Sequence, residues 1–151
     1  MPTPDIYGEP SFQIASYFQL WVHGREFPNA MDDIDGNFLV VSAVCRTLGA
    51  RVWIKNEPIV MITDFSGFAS ECASLHRKES HSAVLYPVEP RLRVSLEAAD
   101  ELGHIRLRIE ITHDCPRQSH VMDFEIDQSY LPDIINQCEQ IIHKYPIRGK
   151  K

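Results

Sequence analysis

Three stretches in the C-terminal half of the chain alternate polar and apolar residues almost without a break. They are Arg91 to Glu97 (RLRVSLE), His104 to Thr112 (HIRLRIEIT) and His120 to Ile126 (HVMDFEI). A period of two sends successive side chains to opposite faces, so each stretch reads as a strand with one wet face and one buried face. Three such strands in a row predict an antiparallel meander. In the last of them, Met122, Phe124 and Ile126 share the buried side.

The charges on the wet face predict a register. With Arg93 opposite Glu110, Glu97 falls opposite Arg106. On the next pair, Arg108 opposite Asp123 sets Arg106 beside Glu125. A shift of two loses an opposite-charge neighbour or creates a like-charge pair, at a few tenths to about 1 kcal/mol each. The same pairing argues against reading Arg91, Arg93, Arg106 and Arg108 as a comb for phosphates. Glu97, Glu110, Asp123 and Glu125 neutralise that face.

A meander with an oily side needs a roof, and the chain ends with one. Leu131, Ile134, Ile135, Cys138, Ile141, Ile142 and Tyr145 form an apolar stripe at helical spacing. Asp127 or Ser129 can cap this helix, Pro132 is tolerated in its first turn, and Pro146 ends it. The stripe predicts a helix lying across the apolar face of the sheet.

Upstream, Phe12 to Glu26 (FQIASYFQLWVHGRE) reads as one long strand or two short ones. Phe38 to Leu48 (FLVVSAVCRTL) is a strand whose near-continuous apolar start predicts cover on both faces. Arg51 to Lys55 is a third strand, which Asn56-Glu57-Pro58 should stop. Thr63-Asp64 offers a helix N-cap, and Phe65, Phe68, Cys72 and Leu75 follow on one stripe to about Arg77. His81 to Val88 is a weaker strand, with Pro87 marking an edge or an early end. The expected fold is α+β: a mostly antiparallel sheet of about seven strands, a C-terminal helix on its apolar face, and a second helix in mid-chain. At 151 residues the chain forms a single domain, 1–151, with 1–11 and 148–151 as loosely ordered tails.

Composition narrows the function more than the fold. A net charge of −6 disfavours a nucleic-acid binder, which needs a basic surface to displace counterions. No apolar run approaches the roughly 18 residues of a membrane span. MPTPDIYGEP lacks the basic and apolar segments of an export signal, so the cytoplasm is the expected location. In that reducing compartment Cys45, Cys72, Cys115 and Cys138, with no CxxC pair among them, are expected as thiols.

The densest acid lies in MDDIDGNFLVV, from Met31 to Val41. An EF-hand loop with Gly36 at its sixth position would need a ligand at Met31 and a glutamate at Ser42, and both fail. Asp35-Gly36-Asn37 reads instead as a turn, with Gly36 available for positive φ. His113, Cys115 and His120 offer three zinc-type ligands, one short of a structural site and at no matching spacing. Cys72, Cys138 and Cys45 fall on apolar stripes, where a buried thiol is inert. No catalytic motif, metal site or cofactor site is expected.

Three stretches, in order, resemble a family of small bacterial proteins, the WapI-type immunity proteins and related domains of unknown function. Asp35-Gly36-Asn37-Phe38-Leu39 is similar to the family's Asp-Ala-Asn-Trp-Leu at the start of a strand, with Gly36 replacing Ala and Phe38 replacing Trp. Val88-Glu89-Pro90-Arg91-Leu92-Arg93-Val94-Ser95-Leu96 is similar to its Glu-Pro-x-Leu-x-Leu-x-Leu strand. Phe124 to Leu131, followed by a helix and Tyr145-Pro146, resembles its Phe-x-x-Asp-x-x-Leu junction and closing aromatic-Pro. The resemblance implies no catalytic residue. It implies stoichiometric binding to a cognate toxin.

Toxins that attack nucleic acids carry basic clefts, and an acidic surface on the inhibitor would dock there. Asp32, Asp33 and Asp35 are therefore the expected partner-binding residues. Two rival readings stand beside this one: a small enzyme with a pocket between sheet and helix, and a structural protein that self-associates. Convergent polar groups in a cleft would favour the first, and a large apolar patch the second.

Overall fold

The computed structural model describes residues 7–114 and 117–149. Among them the chain forms eight strands and two α-helices. β1 (Phe12–Ile14), β2 (Phe18–Arg25), β3 (Phe38–Arg46) and β4 (Arg51–Met61) make an N-terminal antiparallel sheet in chain order. α1 (Ile62–His76) follows, and then β5 (Ser82–Leu85), β6 (Leu92–Ala98), β7 (His104–Ile111) and β8 (His120–Asp127) make a second antiparallel sheet. α2 (Leu131–Lys144) closes the chain. The fold is α+β, as expected. The strands divide into two sheets because β4 passes straight into α1, and the chain after α1 pairs only with itself.

The meander has the register that its charges predict. Arg93 faces Glu110, Glu97 faces Arg106, Arg106 faces Glu125 and Arg108 faces Asp123. Arg106 Nη1 lies 3.0 Å from Glu97 Oε1, and Arg93 Nε lies 3.8 Å from Glu110 Oε2. Arg108 grips Asp123 with two nitrogens, at 2.7 and 3.1 Å. The opposite face carries Leu92, Val94, Leu96, Ile105, Leu107, Ile109 and Ile111, all buried.

Those residues join one continuous core with the inner face of the N-terminal sheet and one stripe of each helix. α1 buries Phe65, Phe68, Cys72 and Leu75, as the spacing predicts. Phe12 packs against Phe18, Phe65 and Phe68 at centroid distances of 6.0 to 6.3 Å, tying β1 to α1. The helix starts earlier than its acid suggests: Asp64 is not the cap. It sits in the first turn and accepts a 2.7 Å bond from the Met61 N–H, while burial pushes its carboxyl up. α2 buries Leu131, Ile134, Cys138 and Ile141, with Ile135, Ile142 and Tyr145 packed partly buried beside them. Asp127 caps the short 3₁₀ turn that leads in, accepting from the Ser129 N–H at 2.8 Å and from the Ser129 hydroxyl.

The N-terminal sheet departs more from its sequence pattern. Phe12 to Glu26 resolves into two strands. Asn56-Glu57-Pro58 does not stop β4, which runs on to Met61. Proline is tolerated because β4 is an edge strand, and Asn56 takes a positive φ of 51° where the register with β3 slips. Ser42, fully buried on β3, makes this bulge possible by accepting from the Asn56 N–H at 2.9 Å. β3 is covered on both faces, as expected. Its outer side lies beneath Trp21 and Trp53, stacked 5.9 Å apart, with Tyr7 packed on both and Gly8 O accepting from Trp21 Nε1.

Candidate functional site

The acidic segment lies in the loop between β2 and β3. Ser-, Asp- and Asn-type side chains favour turns because their short polar groups bond nearby backbone, and Asp32 does so here. Its Oδ2 accepts from the N–H groups of Ile34 at 3.3 Å and Asp35 at 3.0 Å. The Asp35 amide holds the Asp32 carboxyl below the usual carboxylate range. The chain then makes a 3₁₀ turn, Asp35–Asn37, and enters β3.

Gly36 is not in the left-handed region, contrary to the expectation from its turn. It is needed for closeness. A Cβ there would lie 2.8 Å from Ala30 O, across the loop. Arg25 reaches over from β2 to donate to Gly36 O at 2.5 Å and to Pro146 O at 2.7 Å. Asn37 is almost fully buried. Its Nδ2 donates to Asp33 O at 2.9 Å and Arg148 O at 3.1 Å, and its Oδ1 accepts from the Arg148 N–H at 2.8 Å. Arg148 completes the clasp by donating to Pro28 O at 2.6 Å and Ala30 O at 2.8 Å. Gly149, with φ +72°, passes so close to Asp33 that a Cβ would meet its backbone nitrogen. Residue 148, expected in a loose tail, is thus held by the loop.

The clasp fixes a loop whose acidic side chains reach solvent, Asp32 while bonded to its own turn. Asp32, Asp33 and Asp35 are all exposed. Among the described residues, neither the Asp33 nor the Asp35 carboxylate has a hydrogen-bond or ion-pair partner. Beside them stand three apolar side chains: Phe27, Met31 and Ile34, with 45%, 67% and 58% of their surface in solvent. Sequence reasoning found the acids and missed both the apolar neighbours and the clasp. Asn37 and Arg148 are separated by 111 positions, so no local pattern joins them.

Other candidates have structural employment. The thiols of Cys45, Cys72 and Cys138 are buried, and burial pushes Cys45 and Cys138 up to about 12 and Cys72 higher still. At neutral pH none is a nucleophilic thiolate. His113 Nε2 lies 3.3 Å from Glu57, and His120 Nε2 lies 3.1 Å from the Gln118 amide. Cys115, the third member of that set, lies outside the described residues. Among the described residues no group of three or more His, Cys, Asp or Glu converges as for a metal. Arg91 turns from the meander to Glu57, 3.0 Å away, and the other three arginines of the comb face acids. The His23 ring lies 2.8 Å from the Ser42 hydroxyl, but that hydroxyl is buried and already holds the β4 bulge. Among the described residues no helix is long and apolar enough to cross a membrane.

No curated protein matches this chain. A sequence model of the immunity protein WapI-like family matches residues 12–146. The match takes in both sheets, both helices and the acidic loop, and stops just before the Arg148 clasp. With most of its length matched, the chain belongs to the WapI-like immunity protein family.

Proposed function

We propose that this protein neutralises a cognate toxin by stoichiometric, non-catalytic binding in the cytoplasm. The observation that carries the reading is the family match across residues 12–146, since immunity proteins of this kind bind rather than react. The loop between β2 and β3 is the surface we assign to the toxin. It offers Asp32, Asp33 and Asp35 to a basic cleft, and Phe27, Met31 and Ile34 to that cleft's apolar floor. Acid at an interface steers association and sets specificity, while exposed apolar anchors supply affinity. Holding the loop through Arg25, Asn37 and Arg148 lowers the ordering cost of binding.

The test searches the neighbourhood of this gene for toxin-like domains, purifies those found and titrates each into the protein. A one-to-one complex that abolishes toxicity on co-expression supports the role, and failure to bind removes it. Replacing Asp32, Asp33 and Asp35 with Asn keeps the turn, because Asn also accepts from the backbone, while removing charge. The expected result is weaker binding and a shallower salt dependence. Unchanged affinity and salt slope would take the loop out of the interface.

A further inference from the structure

Two four-stranded sheets have four edges, and three of them are closed. At β1, the Gln137 side chain from α2 accepts from the Gln13 N–H at 2.7 Å and donates to Gln13 O at 3.0 Å. At β5, Glu71 from α1 accepts from the Val84 N–H at 2.8 Å. β4 is broken by Pro58 and by Asn56 at positive φ. These are the devices by which sheets avoid pairing with other chains.

β8 has none of them. It pairs with β7 over eight consecutive residues without a bulge, and contains neither proline nor glycine. Among the described residues no hydrogen bond reaches its outward backbone from a helix or loop. Its two faces differ. Asp123, Glu125 and Asp127 stand in a row on the wet side with Val121, which is 50% exposed; Arg108 holds Asp123 from β7 and Ser129 bonds Asp127, while Glu125 makes no ion pair among the described residues. On the other side Met122 and Phe124 are only half-buried. Met122 Sδ meets Cys45 Sγ at 3.3 Å, and Phe124 stacks on Tyr17 with centroids 4.2 Å apart.

Resting on the toxin-binding reading above, we propose that the open edge of β8 receives an extended basic segment of the toxin as an added strand. Lysines or arginines at alternate positions would face Asp123, Glu125 and Asp127, and the apolar residues between them would cover Met122, Phe124 and Tyr17. Charge selects this occupant over a second copy of the chain. Antiparallel pairing of β8 with itself sets acid against acid across the new ladder, which is unfavourable. Backbone pairing supplies affinity, and the alternating side chains supply selectivity.

Amide hydrogen exchange on the full-length protein tests this in two arms. The first adds an alternating Lys-Val peptide of about eight residues, a common strand length, at about 1 mM, where even weak pairing registers. Alternate amides of β8 should exchange several-fold more slowly, and the effect should vanish with the same peptide N-methylated on alternate residues, with a Glu-Val peptide, or with Glu125→Lys protein. No slowing, or equal slowing by the N-methylated or Glu-Val peptide, overturns the proposal. The second arm adds each toxin-like domain found in the neighbourhood of the gene. Binding that slows β8 amides supports the edge. Binding that leaves them unchanged overturns the edge proposal while the immunity role stands. If none of these domains binds at all, the immunity reading falls, and with it the partner assigned to β8.

Discussion

The two sheets have four strands each and share one core, yet they are held in register by different means. In the C-terminal sheet, β6, β7 and β8 pair without interruption, and neighbouring strands face each other with opposite charges. In the N-terminal sheet, β2 slips against β3, and β3 slips twice against β4. Its irregular points are fixed by buried polar groups: Ser42 at the bulge, Asn37 at the start of β3. One sheet is specified by repetition and the other by single contacts. Damage should therefore spread evenly in the first and concentrate at a few residues in the second.

The largest effect should come from the core that both sheets share. Leu107 is fully buried on β7, so Leu107→Ala should cost about 3 kcal/mol in a urea unfolding experiment. A loss under about 1 kcal/mol would mean that the meander repacks freely around a missing side chain.

Next comes the clasp. Asn37→Ala removes three hydrogen bonds at a buried site and should cost about 2 kcal/mol. Arg148→Ala made on that background should add much less than it does alone, since both hold one joint. Full additivity would show that the two residues do not act together. In the same sheet Ser42→Ala strips the Asn56 N–H of its acceptor, for about 1 kcal/mol. Amide exchange should locate the loosening at the β3–β4 bulge and nowhere in β6 to β8.

The wet face of the meander should respond least. Exchanging Arg108 and Asp123 keeps their pairing, since Arg108 otherwise faces only Ser95, and the swapped protein should unfold at nearly the wild-type midpoint at any salt concentration. Arg106→Glu alone sets like charges opposite each other, and its small deficit should shrink at about 0.5 M salt as screening sets in. At the β6–β7 turn, a 2.6 Å contact with Asp100 raises the pKa of His104 above the ordinary histidine value. A group raised by folding adds stability below its unfolded pKa, and that stability is lost as pH rises through the folded value. Proton NMR should find the His104 midpoint shifted upward, and Asp100→Asn should return it. An unshifted midpoint in the native protein would remove that contact from solution.

The contrast also explains which parts of the fold were legible. Arg93, Glu97, Arg106, Arg108 and Asp123 gave the register of β6 to β8 because cross-strand neighbours follow from counting by two. The stripes Phe65-Phe68-Cys72-Leu75 and Leu131-Ile134-Cys138-Ile141 located the helices because they follow from counting by three and four. Pro58 misled because a proline ends a central strand but not an edge strand, and edge position is a property of the assembled sheet. Gly36 misled in a similar way. Its freedom pointed to positive φ, whereas Ala30 O, brought across by the loop, is what excludes a side chain. Asp32, Asp33 and Asp35 stood out as a charge cluster, while the exposure of Phe27, Met31 and Ile34 beside them follows no local period and showed only in the folded loop.

By itself, then, the amino-acid order determined the local periodicities: strands in the meander, two amphipathic helices, and an acidic turn ahead of β3. Tertiary structure alone decided that there are two sheets, that Arg148 locks the acidic loop, and that no other described element covers the outer edge of β8. The physical reason is range. Period and propensity act between residues a few positions apart, whereas burial, close approach and edge exposure depend on groups that meet only after the chain has folded.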